Sequence, residues 1–309
     1  MRSKADLTAA IRSGGPAVLV INARARTGAA LLEHAPRRLA EQGIAVARVI
    51  NVRRPERLAR ALDEAIAEGP DLLIAAGGDG TLSTAGKRVA GLDLALGVLP
   101  VGTTNNFARS VGWSGDLDGA LATLGSGKVA DVDLGQAGPD AFTNMVSLGV
   151  SVQVAGRVPH RLKRHLGRSA YPLTALAALR GHRPFQARII AGDTKLEFET
   201  HQLNIANGAF HGGRRIARDA DIDDRLLLAY RFGAGSRLHL VGSAVRHALA
   251  GSYLSVDDEP FLTTGDLHLE TDPALPLDVD GEIRGRTPLR IHIRPNALRV
   301  MVPQDFTDR

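Results

Sequence analysis

The 309-residue chain contains no cysteine, which excludes disulfides, thiolate metal sites and cysteine nucleophiles. Aromatic residues make up only 4%, too few for the stacking platforms that hold single strands, and no nucleic-acid partner is expected. No apolar run approaches the ~20 residues that cross a bilayer. The first residues, Met1 to Asp6, lack the apolar core of a signal peptide, so the expected location is the cytoplasm. Internal repeats and low-complexity tracts are also missing.

What is present is an ordinary globular composition, 44% hydrophobic and 23% charged. The length allows two domains or one large one. Lys and Arg exceed Asp and Glu by 38 to 33, a net charge of +5. That mild basic excess suits phosphate ligands or an anionic membrane surface.

The stretch from Leu72 to Thr81 organises the first half. Five apolar residues, Leu72 to Ala76, run into Gly77-Gly78-Asp79-Gly80-Thr81. An unbroken apolar run reads as a strand buried on both faces, as in a parallel sheet. Leu82, Ala85 and Val89 then follow at helical spacing. The loop therefore feeds a helix N-terminus, whose unpaired N–H groups and dipole favour a phosphate. A carboxylate beside a phosphate is repelled unless a cation stands between them, which makes Asp79 a candidate Mg²⁺ residue. An ordinary Gly-Asp-Gly turn is the competing reading.

Around this loop the chain alternates. Strands are expected at Ala17 to Ile21, Ile44 to Ile50, Leu94 to Val98 and Val129 to Leu134. Helices are expected over Ala29 to Glu41, kinked or started late by Pro36, from Pro55 to Gly69, and near Leu117 to Leu124. This is the mark of a doubly wound parallel sheet. Gly102-Thr103-Thr104-Asn105-Asn106 forms a second strand-to-helix loop rich in hydroxyl and amide groups. Two such loops at neighbouring strand ends face one crevice.

Beyond residue 135 the period becomes two. Leu196/Phe198, Leu267/Leu269, Leu275/Leu277/Val279, Leu289/Ile291/Ile293 and Leu298/Val300/Val302 alternate with polar residues. The expected fold is thus α/β plus β: an N-terminal doubly wound domain, 1–133, and a C-terminal antiparallel β-sandwich, 134–294. The segment 295–309 is free to return to the first domain.

Three further features carry chemistry. Asp280 and Glu282 flank Gly281 on a tight turn, and a carboxylate near a substrate hydroxyl can act as general base; a charged hairpin tip is the alternative. Asp221, Asp223 and Asp224 form an oxygen-rich loop of the kind that holds Mg²⁺ or Ca²⁺, or a solvated acidic loop. Residues 157–188 hold eight Lys and Arg residues and no Asp or Glu, around the apolar Leu173, Leu176 and Leu179. That composition fits an anionic bilayer surface, or an ordinary solvated face.

Taken together, these motifs resemble the diacylglycerol kinase catalytic family in its small bacterial lipid kinase form. The resemblance rests on Gly77 to Thr81, Pro100 to Arg109, Asn207-Gly208 with Gly212-Gly213, Ala220 to Leu227, Asp280-Gly281-Glu282 and Pro295 to Pro303. It implies a fold like that of NAD kinases and diacylglycerol kinases, with ATP and Mg²⁺ as cofactors and a lipid hydroxyl as acceptor. By this resemblance Asn22, Asn51, Gly77, Gly78, Asp79, Gly80, Thr81, Gly102, Thr103 and Asn105 meet the nucleotide. Glu282 takes the hydroxyl proton, supported by Asp280, with Asp79 in the catalytic set. Asp221, Asp224 and Leu226 hold a structural metal, partly through backbone carbonyls, and Asp133 joins that network. The implied partner is a lipid at the membrane surface, met peripherally through 157–188, with a homodimer as a further expectation. The chain departs from the family at Ser83-Thr84, where Asn-Glu is usual, at Asn106 for Asp, at Ala23 for Pro and at Arg225 for Gly. An NAD kinase, or a lipid- or nucleotide-binding protein of weak activity, are the alternative readings.

Overall fold

The computed structural model describes residues 1–23, 28–113, 115–157, 183–211, 213–215, 220–232 and 260–309. Contacts divide the chain into two units. Unit 1 comprises residues 1–134, 221–225 and 294–309, and unit 2 comprises 135–220 and 226–293.

Unit 1 begins with α1 (Lys4–Arg12), β1 (Ala17–Asn22), α2 (Gly28–Glu41), β2 (Val46–Val52), α3 (Leu58–Ala67), β3 (Leu72–Gly77), α4 (Asp79–Val89) and β4 (Ala95–Pro100). It continues with α5 (Asn106–Ser110), α6 (Leu117–Ser126) and β5 (Lys128–Ala137), whose end passes into unit 2. Strands β2, β1, β3 and β4 lie in that order and are all parallel. Helices cover both faces, so strand side chains alternate between two cores. Val18, Val20, Leu73, Ala75, Leu96 and Val98 pack with α3, α4 and α5. Leu19, Ile21, Leu72, Ile74, Ala76 and Leu99 pack with α1, α2 and α6. This two-sided burial is the physical reason the strands read as continuous apolar runs.

Two local expectations change. Helix α2 does not start late at Pro36 but runs through it, from Gly28 to Glu41. Asn51 lies within β2, opposite Ile21, rather than after it.

Unit 2 holds β6 (Asp140–Phe142), β7 (Met145–Gly149), α7 (Val150–Arg157), β8 (Phe185–Ala191), β9 (Thr194–Thr200), β10 (Gln202–Asn207), β11 (Phe210–His211) and β12 (Arg214–Arg215). After these come β13 (Leu227–Phe232), β14 (Leu262–Thr264), β15 (Asp266–Asp272), β16 (Pro276–Val279), β17 (Glu282–Arg286) and the first residues of β18 (Leu289–Val302). A six-stranded sheet runs β14-β13-β10-β7-β16-β17. Its neighbouring strands all pair antiparallel. A second layer is built from β9, β8, β15 and the start of β18, again antiparallel. Val146, Leu148, Leu203, Ile205, Leu277 and Val279 from the first meet Ala187, Ile189, Leu267, Leu269 and Ile291 from the second in one core. The unit is therefore an antiparallel β-sandwich.

The last strand, β18, is 14 residues long. It gives its first residues to unit 2 and its last to unit 1, where Val300 pairs in parallel with Leu96 of β4.

Candidate active site

The residues expected to meet a nucleotide gather at the carboxyl ends of β1, β3 and β4. Helix α4 starts immediately after β3: Gly78 is its N-cap and has no side chain to occupy the helix terminus. The Thr81 and Leu82 N–H groups already bond back to the Gly78 carbonyl, at 2.9 and 3.1 Å. Gly80 is exposed, while Thr81 is buried. Asn22, at the end of β1, donates from Nδ2 to Thr81 Oγ1 at 3.0 Å. That bond ties the first strand to the first turn of α4.

At Gly78 and Gly102 the loop after β4 meets this turn backbone to backbone. A Cβ on Gly102 would stand 2.5 Å from the Gly78 Cα, and one on Gly78 3.2 Å from the Gly102 Cα. No side chain larger than hydrogen fits at Gly102 without moving main chain. Asn105 adopts the left-handed conformation, φ 50°, and its Oδ1 accepts the Gly102 N–H at 3.0 Å. Thr103 stays exposed at the crest. Asn51 is exposed near the carboxyl end of the edge strand β2, opposite Ile21 and one residue before Val52, the partner of Asn22.

Asp79 faces the second loop. Its Oδ2 accepts the Thr104 hydroxyl at 2.6 Å, and its Oδ1 accepts the Phe107 N–H at 3.2 Å. Phe107 is fully buried and anchors α5 in the core. At the positions where the family usually has Asn-Glu, Ser83 is buried and Thr84 bonds the Gly80 carbonyl at 2.7 Å.

A second acidic corner lies elsewhere in unit 1. Asp133 is 1% exposed, and its two carboxylate oxygens accept the N–H groups of Arg225 and Asn296 at 2.8 and 2.9 Å. It thereby joins three segments far apart in the chain. Burial raises its pKa despite those bonds. Asp224 accepts the Asp221 N–H at 2.9 Å, and Asp221 accepts the Ile222 N–H at 2.9 Å. Asp223, just before Asp224, is also 1% exposed. One of its oxygens accepts the Arg309 N–H at 2.7 Å, while Oδ1 is buried with no hydrogen-bond partner among the described residues. Burial first, with Asp221 and Asp133 adding like charge, pushes its pKa up to about 6. Arg225 follows at φ 63°, a conformation that glycine adopts more readily. Leu226 is exposed. Among the described residues no three acidic or imidazole side chains form a metal-binding group. The orphaned Asp223 oxygen is the feature here that fits a cation, with backbone carbonyls and water left to complete its shell.

In unit 2 the Asp-Gly-Glu turn sends its two carboxylates to different partners. Asp280, at φ 52°, accepts the N–H groups of Thr143, Asn144 and Met145 at 2.8, 2.9 and 3.1 Å, and the Thr143 hydroxyl at 3.1 Å. Glu282 is exposed and pairs with Arg284, Nη2 to Oε2, at 2.8 Å. Two residues upstream, Asp278 accepts the Gly281 N–H at 2.6 Å. Burial raises its pKa, with Asp280 and Glu282 adding to the effect. Most of the basic stretch at 157–188 lies outside the described residues. No helix among the described residues is long and apolar enough to cross a membrane.

Sequence reading placed Thr104 and Arg109 without their bonds, and missed Asp278. The first two sit inside the second glycine loop motif, so their place was visible but their bonds were not. Asp278 carried no signal beyond its alternation with Leu277 and Val279.

Two family models match the chain. One describes the diacylglycerol kinase catalytic domain and covers residues 16–137. The other describes the YegS C-terminal NAD kinase β-sandwich-like domain and covers 144–302. The chain is similar to "Probable lipid kinase YegS" of Escherichia coli SMS-3-5, with 31% identity over 256 residues, 80% of this chain and 83% of that protein. It is equally similar to "Probable lipid kinase YegS-like" of Chromohalobacter salexigens, 31% over 260 residues and 80% of each chain. Among solved structures, a diacylglycerol kinase from Bacillus anthracis str. Sterne superposes with a TM-score of 0.73 at 21% identity, covering 93% of this chain and 97% of that one. That likeness speaks to the fold.

Proposed function

This chain belongs to the lipid kinase family that joins a diacylglycerol kinase catalytic domain to a YegS-type β-sandwich, and from that premise we propose that it transfers the γ-phosphoryl group of ATP to the hydroxyl of diacylglycerol or a closely related lipid. The observation that carries this reading is the abutment of Gly78 and Gly102 at the ends of two parallel strands. It leaves a side-chain-free surface at the α4 N-terminus, where a polyphosphate can approach the backbone.

Phosphoryl transfer needs positioning and charge neutralisation more than covalent chemistry. The amides of Asp79, Gly80, Thr103 and Thr104 would bind and orient the phosphates. Asn22 and Thr81 would hold the floor of that cradle. Glu282, exposed and oriented by Arg284, is the group suited to accept the proton of the attacking hydroxyl. Asp280 fixes the turn that presents it. Mg²⁺, when bound, would neutralise phosphate charge in the nucleotide or brace the loop at Asp221 to Leu226, and Asp223 and Asp221 are the side chains suited to the second role. Contact with the membrane through 157–188 is part of the same proposal, on the composition of that stretch alone.

A thin-layer assay with radiolabelled ATP tests the reading against diacylglycerol, ceramide, sphingosine, phosphatidylglycerol, undecaprenol and NAD. Label on diacylglycerol supports it. Label on NAD and on no lipid would replace it with an NAD kinase. Tight ATP binding with no turnover on any acceptor would reduce the chain to a binding protein.

A further inference from the structure

We propose that Thr104 is the positioning residue of the phosphate cradle, clamped between Asp79 on its side chain and Arg109 on its main chain. This deepens the kinase reading above and rests on it for the identity of the ligand, a nucleoside polyphosphate. The stretch Gly102 to Asn106 is small and polar, with no apolar side chain to anchor it before Phe107. Left to itself such a stretch samples many conformations, and ordering it on binding would weaken affinity.

The structure restrains it at three points. Gly102 is fixed by the Asn105 side chain and by close contact with Gly78. The Thr104 hydroxyl is held by Asp79 at 2.6 Å. The Thr104 carbonyl accepts Arg109 Nε at 3.1 Å, and the Arg109 guanidinium in turn lies 5.5 Å from the centre of the Trp113 ring. Thr103 is thus a single exposed residue between two pinned neighbours, which fixes its amide and hydroxyl for an incoming anion.

The same bonds give Asp79 a task. Its negative charge is directed at a hydroxyl and at the Phe107 N–H, away from the polyphosphate that it would otherwise repel. Asp79 acts on the ligand through the second loop. Arg109 supplies the opposing hold, and a lysine there would lose the planar Nε donor and the stacking face together.

Kinetics and hydrogen exchange on the full chain test the clamp. Thr104→Val removes the hydroxyl at nearly constant volume. It raises the KM for ATP about tenfold and lowers kcat severalfold, with the lipid KM unchanged. Thr104→Ser keeps the hydroxyl and returns both constants to within about twofold of wild type. Arg109→Ala follows Thr104→Val, and Arg109→Lys restores little. The Asp79→Asn/Thr104→Val pair is no worse than Asp79→Asn alone, because both remove one link. Exchange of the Phe107 amide, read without any substrate, quickens in Thr104→Val and not in Thr104→Ser. Wild-type KM and exchange in Thr104→Val, or fully additive losses in the double variant, overturn the proposal. If the wild type turns over no lipid, the kinase reading fails while the exchange comparison still decides the clamp.

Discussion

Asp79 in unit 1 and Asp280 in unit 2 both precede a glycine, and by sequence each could be a functional carboxylate or an ordinary turn. Their surroundings differ in the number and kind of donors. Asp79 receives one hydroxyl and one backbone N–H, both from a single loop. Asp280 receives three backbone N–H groups and a hydroxyl from the chain entering β7, and is itself held at a left-handed φ. The first arrangement shapes a loop that a ligand can reach. The second is a structural lock, and the residue it presents, Glu282, is the one left exposed. An Asp-Gly pair therefore tells where a chain turns, and the donors around the carboxylate tell what the turn is for.

Substitutions can break or sharpen this contrast. Glu282→Gln carries the largest expected effect on turnover, a fall in kcat of about 10²–10⁴-fold with no change in melting temperature; full phosphoryl transfer in that variant would remove Glu282 from the mechanism. Asp280→Ala acts the other way, on the fold. It strands four donors, and urea unfolding of the chain should register a loss of about 3 kcal/mol or more. A loss below 1 kcal/mol would mean that those N–H groups find other partners. Gly102→Ala forces the two unit 1 loops apart, at about 1–3 kcal/mol in stability, and weakens ATP binding measured by calorimetry more than it changes the fold.

The smallest effect is expected at Asp278, next to the unit 2 lock. Its raised pKa means that the folded chain binds this proton more tightly than the unfolded chain does. Stability from this group is present at acid pH and declines as the pH climbs from the ordinary carboxylate range through the raised value. Asp278→Asn keeps an acceptor for the Gly281 N–H and carries no charge. Its melting temperature should match wild type near pH 4 and exceed it by about 1–2 °C at pH 8. A variant less stable than wild type at pH 8 would show that the charge itself is needed there.

Much of the fold was legible because burial leaves a local imprint. A strand covered on both faces has to be apolar throughout, as Leu72 to Ala76 are, and a strand covered on one face alternates, as Leu289, Ile291 and Ile293 do. Glycine clusters at the ends of such strands pointed to the loops around Gly78 and Gly102. Of the effects expected of Pro36 a late start is the one that did not occur, because helix α2 runs through it, as proline tolerates when the surrounding packing holds the helix. The bonds of the site left no such imprint. Asp133 meets partners 92 and 163 residues away, and Asp280 partners 135 to 137 residues away.

The sequence by itself determined the two classes of sheet, the places where backbone is bare enough for a phosphate, and the carboxylates available for chemistry. These follow from side-chain size, polarity and period along a few consecutive residues. Only the tertiary structure decided which carboxylate is tied to backbone, which is exposed, and that the Thr104 hydroxyl meets Asp79. A hydrogen bond depends on angstrom-scale approach between segments whose separation in sequence is arbitrary.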